Sequence, residues 1–287
     1  MNDQAESLRR IVDDSSDVPE CKVISVVSGK GGVGKSNFSL NFSIGLAQEG
    51  KKVILFDLDI GMANVDILMG VSAKYNIVDM IEHEMTIWDI IEEGPENISY
   101  ISGGSGFTSI FKLSITKFER FIQQIEALQK KYDYIILDMG AGASEDSMQF
   151  ILSAHETFIV TTPEPTSITD AYAMIKYIHL KDKELPCSLL INRIESAKEG
   201  RATAENLQRV AKQFLDKDLN LLGSLPNDKT VVKAVKSQKP FLLLDPKSKS
   251  SRSLKEIVKS YLGESQDKAN PPNSSFISKF TRFFKER

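Results

Sequence analysis

The sequence predicts an α/β fold built on a parallel sheet, and three observations carry that reading. Short runs of β-branched and aliphatic residues, beginning with Val23-Ile24-Ser25-Val26-Val27, have the composition of strands buried on both faces. Segments of helical apolar spacing separate these runs, and the alternation continues to about residue 262. Two runs, Val53-Ile54-Leu55-Phe56-Asp57 and Tyr134-Ile135-Ile136-Leu137-Asp138, end in a carboxylate, at the strand end where open α/β sheets bind ligands.

The first run leads into Gly29-Lys30-Gly31-Gly32-Val33-Gly34-Lys35-Ser36, which fits G-x-x-x-x-G-K-[ST] with Gly29, Gly34, Lys35 and Ser36 in register. Phe38, Phe42 and Leu46 then fall four apart, as one face of a helix requires. A glycine-rich turn between strand and helix lets backbone N–H groups close around phosphates, because no Cβ intrudes. The following helix adds its positive end. Lys35 can reach the β- and γ-phosphates and the Ser36 hydroxyl can ligate Mg²⁺, so this stretch is a nucleotide cradle.

Composition bounds the rest. The chain has 287 residues, 41% hydrophobic and 26% charged, enough for one large globular domain. A net charge of −3 provides no global basic field, and no specific nucleic-acid partner is expected. Cys21 and Cys187 make no disulfide framework and fit a reducing cytoplasm. The N-terminus has no apolar leader and no run is long enough to span a bilayer. Trp88, in Met85-Thr86-Ile87-Trp88-Asp89-Ile90-Ile91, reads as a core residue, and the scattered His83, His155 and His179 have no ligand-like spacing.

With Lys30, the loop Lys-Gly-Gly-Val-Gly-Lys-Ser resembles the deviant Walker A of the MinD/ParA class of ATPases. The resemblance implies a three-layer P-loop NTPase over residues 22–262, with a mostly parallel central sheet and helices on both faces. It also implies ATP/ADP and Mg²⁺ as cofactors and an ATP-dependent homodimer. Lys30 would reach across that dimer to the other subunit's phosphates, in a role like an arginine finger. Residues 57–66 resemble switch I of the class. There Asp57 would join the Mg²⁺ water shell, Asp59 would position or deprotonate the attacking water, and Asn64 would be a switch or cross-dimer contact. Asp138 with Met139-Gly140-Ala141-Gly142 resembles Walker B and switch II, with Asp138 holding Mg²⁺ through water and the Gly142 N–H sensing the γ-phosphate. Met139 and Gly140 depart from the class pattern Asp-[Ser/Thr]-Pro-x-Gly, which bears on the rigidity of switch II. Asn192-Arg193 resembles the adenine-reading position, since an Asn amide matches the N6 donor and N7 acceptor of the base. Leu225-Pro226-Asn227-Asp228 resembles the segment on the base's other face, with Pro226 and Asp228 as contacts; a turn role stays open for both pairs.

The ends carry separate signals. Residues 1–20 read as an appendage and linker, 21–262 as the ATPase domain, 263–273 as a polar, proline-containing linker and 274–287 as an amphipathic helix. Asp3, Gln4, Ala5, Leu8 and Arg9 form Asp-Gln-Ala-x-x-Leu-Arg, which resembles the activator motif of the FlhG branch of MinD-like ATPases. In that branch the segment stimulates the signal-recognition-particle-type GTPase FlhF, and the Gln4 amide would orient the attacking water. At the other end Phe276, Ile277, Phe280, Phe283 and Phe284 share one helical face about 120° wide, with Lys279, Arg282 and Lys285 beside or opposite it. Such a helix either docks on the domain or lies in an anionic membrane interface, and the likeness to the MinD tail favours the membrane. The implied function is an ATP-hydrolysing switch, cytoplasmic and reversibly peripheral on the cell membrane's inner face, that regulates flagellar number and placement through FlhF. Flagellar basal-body switch proteins are further implied partners. The alternatives are a DNA-binding partition ATPase, a cell-division MinD and a non-catalytic ATP-binding adaptor.

Overall fold

The computed structural model describes residues 21–59, 65–103, 115–142, 144–267 and 275–285. Asp3, Gln4, Ala5, Leu8, Arg9 and Asn64 lie outside the described residues. The aliphatic runs become β1 (Lys22–Val27), β2 (Val53–Leu58), β4 (Ser99–Ser102), β5 (Tyr134–Met139), β6 (Glu156–Thr161), β7 (Cys187–Ile194) and β8 (Asn220–Pro226). A two-residue β3 (Glu92–Glu93) pairs antiparallel with β4, and every other pairing is parallel. The order is β3-β4-β2-β5-β1-β6-β7-β8, which puts β1, and the loop that leaves it, at the centre.

Because side chains alternate across a strand, the sheet has two apolar faces. Ile24, Val26, Leu55, Ile136 and Phe158 meet α1 (Lys35–Gln48), α2 (Val65–Met69), α8 (Lys229–Lys236), α9 (Phe241–Leu244) and α10 (Lys249–Asp267). Val23, Phe56, Ile135 and Ile159 meet α3 (Ile77–Glu82), α4 (Ile115–Gln129), α5 (Glu145–Ser153), α6 (Pro165–Lys181), α7 (Ala197–Leu215) and α11 (Phe276–Lys285). Phe38, Phe42 and Leu46 are buried as predicted, but α1 is buried all round from Phe38 to Leu46 and not on that face alone. Phe42 meets Phe158 edge-on at 5.5 Å, and Phe158 meets Tyr261 of α10 at the same distance.

Two expectations change, and the terminal helix takes one of the two positions its face allows. Trp88 is 43% exposed, with the Lys131 ammonium 4.6 Å from its ring centroid; Ile87 and Ile90 beside it take the core positions instead. The segment read as a linker begins as helix, since α10 runs on through Asp267. Of the two fates open to the terminal helix, the structure has the docked one. Phe280, 1% exposed, lies 4.5 Å from Phe150 of α5, 5.9 Å from Phe118 of α4 and 5.6 Å from Phe276, itself buried. Lys279 pairs with Asp182 at 3.5 Å. The side chains of Phe283, Phe284 and Lys285 lie outside the described residues. The physical reason is nonlocal: α4 and α5 leave an apolar groove that a helix with this face fills. Among the described residues no helix is long and apolar enough to cross a membrane.

Beside the docked helix sits a buried histidine. The His155 Nδ1 accepts the Val23 N–H at 3.0 Å, and its Nε2 has no hydrogen-bond partner among the described residues. Burial, helped by Lys279 and Lys22, lowers its pKa to about 4. The unfolded imidazole, near 6.5, takes a proton first, so stability is lost as pH falls from about 6.5 towards 4, by up to about 3 kcal/mol. Urea denaturation at pH 7 and pH 5 should show this loss, and His155→Gln should shrink the difference between the two pH values.

Candidate nucleotide site

The loop after β1 is shaped by close approaches. Gly29 lies against the main chain of Asp170 on α6, where a Cβ would collide. Gly34 caps α1 in the left-handed region at φ 94°, and a Cβ there would strike the Asn192 side chain. The first turn of α1 holds no acidic residue and its cap supplies no side-chain acceptor, so its N–H groups face the cradle of Gly31, Gly32 and Val33 unopposed.

Beneath the loop is a buried charge cluster. Lys35, 6% exposed, places Nζ 3.1 Å from Oδ1 of Asp138, which is fully buried at the end of β5. Ser39, one turn along α1, lies 2.9 Å from the same oxygen. The other oxygen, Oδ2, is buried without a hydrogen-bond partner among the described residues. Asp57 is register partner to Asp138 on the adjoining strand. Its carboxylate also organises switch I: Oδ1 accepts the Asp59 N–H and Oδ2 the Val65 N–H, each at 3.1 Å. An orphaned carboxylate oxygen, a neighbouring carboxylate and the half-buried Ser36 at the start of α1 are hard oxygen donors that fit Mg²⁺. Bound there, the ion would neutralise charge on phosphate oxygens.

The departures in switch II have a packing explanation. Met139 is the last residue of β5, buried and paired with Leu58. Gly140 leaves room for Asp59, whose Oδ1 would lie 3.2 Å from a Cβ at that position. The Gly142 N–H donates to the Ser28 carbonyl at 3.2 Å, and the Ser28 hydroxyl donates to the Lys30 carbonyl at 2.9 Å. The segment after β5 is therefore tied to the loop after β1 by a bond that a phosphate acceptor could replace.

Lys30 points outward. Its Nζ lies 3.4 Å from Glu164 and 3.2 Å from Thr166 at the start of α6, and its side chain is 42% exposed. An exposed pair of this kind holds weakly. On the β7 side of the loop, Asn192 Nδ2 donates to the Val33 carbonyl at 2.8 Å and Oδ1 accepts the Arg193 N–H at 2.9 Å. Arg193, at φ 58°, reaches the Gly32 carbonyl at 2.7 Å. Asn192 and Arg193 thus brace the cradle through the carbonyls of Val33 and Gly32. Asp228 caps α8 through the Thr230 N–H and accepts the Ser250 N–H. Burial pushes its carboxyl up, but those bonds outweigh it and hold the group below the usual range. The Pro226 carbonyl accepts from the Ser250 hydroxyl at 3.3 Å. Sequence reading missed Ser39, Glu164 and Thr166. The spacing of Ser39 from Lys35, one helical turn, was the available signal, as was Pro165 opening α6.

Removing one partner of a buried pair strands the other. Lys35→Met should lower the stability of the nucleotide-free protein by about 3 kcal/mol. The double variant Lys35→Met/Asp138→Leu should recover most of that loss in thermal denaturation while binding no nucleotide.

Comparisons agree with this geometry. Residues 21–262 match the ParA family model, described as NUBPL iron-transfer P-loop NTPase. The chain is 36% identical over 237 residues to the antiactivator FleN of Pseudomonas aeruginosa, covering 83% of this chain and 85% of that protein. It is 37% identical over 239 residues to the flagellum site-determining protein YlxH of Helicobacter pylori, covering 83% and 80%. MinD of Pyrococcus horikoshii, solved with Mg-ADP, superposes with a TM-score of 0.68 at 25% identity, covering 88% of this chain and all of that one. The MinC:MinD complex of Aquifex aeolicus gives the same score and identity over 89% of this chain and 99% of that one. With the glycine cradle, its two lysines and the Asp57–Asp138 strand ends in place, the chain belongs to the ParA/MinD family of P-loop NTPases.

Proposed function

We propose that this protein is an ATP-hydrolysing switch that regulates flagellar number and placement. The observation that carries the reading is the second lysine. Lys30 does not turn into its own cradle but sits at the rim, weakly held by Glu164 and Thr166. A cation so placed is free to serve phosphates bound by a second copy, where it would stabilise charge developing in the transition state. Asp59, against Gly140, is the residue proposed to orient or deprotonate water. The flagellar assignment rests on likeness to FleN and YlxH.

In the proposed cycle, ATP with Mg²⁺ draws Gly142 from Ser28 and pairs two copies. Pairing frees α11 from α4 and α5 for an anionic membrane surface, and hydrolysis reverses both. Two tails in one dimer bind lipid far better than one, through effective concentration. Asp3, Gln4, Ala5, Leu8 and Arg9 are proposed to stimulate FlhF, and basal-body switch proteins are proposed as further partners.

Light scattering on Asp59→Ala should give the monomer mass with ADP and twice that with ATP, while turnover falls at least about hundredfold. Lys30→Ala should keep nucleotide binding and lose the doubling; unaltered doubling would overturn the scheme. Sedimentation with anionic vesicles should need ATP and residues 275–287. Deleting residues 1–10 should return FlhF to its basal GTPase rate and leave ATP hydrolysis intact.

A further inference from the structure

We infer that a groove along the open edge of β8 is a docking site for an acidic, extended segment of a partner protein. β8 ends the sheet, and among the described residues its outer edge meets no further strand. A groove of about 580 Å³ runs along it, between the start of α7 and the face of α10. Leu221, 45% exposed, and Ser224 lie on its floor. Arg201 from α7 and Lys249 and Arg252 from α10 line its walls. All three are exposed, and none has an ion pair among the described residues. Net charge conceals this field: residues 229–259 hold nine Lys and Arg against two acids, in a chain of net charge −3.

The lining selects the occupant. Among the described residues no aromatic ring lines the groove for base stacking, which disfavours a single-stranded nucleic acid. Arg201, Lys249 and Arg252 outnumber Glu195 and Glu256 in the lining, so its balance is positive. A second copy paired edge to edge would set Arg201, Lys249 and Arg252 against their own counterparts. A planar lipid surface does not enter a groove. An extended acidic peptide uses what is there: its main chain pairs with the open strand edge while its carboxylates meet the three cations. A bulge leaves Leu222 outside the β7 register and shortens the regular edge, so charge supplies a large share of the binding.

The test uses the full chain and a labelled nine-residue peptide alternating valine and glutamate. It should bind saturably below about 1 mM and slow amide exchange across residues 220–226. Arg201→Glu/Arg252→Glu should weaken binding at least about tenfold. Lys236→Glu/Lys239→Glu changes net charge equally but lies on and just after α8, and should cost less than about threefold. Should the groove variant melt early, a valine–lysine peptide on the unaltered protein decides, since it should not bind. Absence of saturable binding would mean that the cations only guard an exposed edge, and would overturn the inference. Equal losses from both charge pairs, equal binding of the lysine peptide, or stronger protection of the same amides by a single-stranded oligonucleotide would do so as well.

Discussion

Asp138 is a carboxylate with no exposed surface, and much of the site is arranged around it. An unpaired charge at that depth would be prohibitive. Lys35 and Ser39 meet one of its oxygens, which fixes the end of β5 against the first turn of α1. Since β5 lies between β1 and β2, this cluster joins the cradle strand to the strand that carries Asp57. The lysine has three donors, so it can keep Asp138 and still offer protons to a phosphate. The uncommitted Oδ2 is the atom through which the cluster can answer to a divalent ion.

A trans peptide directs its C=O and N–H to opposite sides. Asn192 and Arg193 hold the carbonyls of Val33 and Gly32, so the amides of Gly34 and Val33 point away from β7. The bracing side chains therefore help turn donors into the cradle, and the loop does not rely on glycine alone for its shape. Switch II closes the arrangement from the other side, through Gly142 on Ser28 and Gly140 beneath Asp59. The Gly142–Ser28 bond is single, and the proposed switch requires that a phosphate be able to replace it.

What was legible in the sequence was local. The cradle, the strands ending in Asp57 and Asp138 and helix α1 follow from spacing within a few residues, and the family likeness set the order of the parts. What was not legible depended on distant neighbours. Trp88 sits in an apolar stretch whose periodicity does not say which members turn outward, and Lys131 decides it. The polar residues 263–267 read as linker because the apolar stripe ends, yet α10 carries on through them. Lys30 and Glu164 are 134 positions apart, so no local pattern links them. The positive field of residues 229–259 vanished into a whole-chain sum. The five apolar residues of the terminal helix face read the same whether the surface opposite is lipid or protein.

That last ambiguity is physical as well as textual. Burying Phe276 and Phe280 stabilises docking by roughly 3–6 kcal/mol before the cost of ordering the helix, and the Lys279–Asp182 pair adds little. A bilayer interface offers the same side chains a similar apolar surface, and anionic lipid would attract Lys279 and Arg282. For the proposed membrane role the two sites must lie close in free energy if a modest signal is to tip the helix between them. Coupling between sites typically amounts to about 1–3 kcal/mol. For the proposed switch, the docked state must therefore exceed the membrane-bound one in stability by no more than that. Phe276 and Phe280 are buried in the same cluster as Val23 and Phe56 of the sheet, so the proposed membrane role requires an energetic bias from the nucleotide site large enough to undock them.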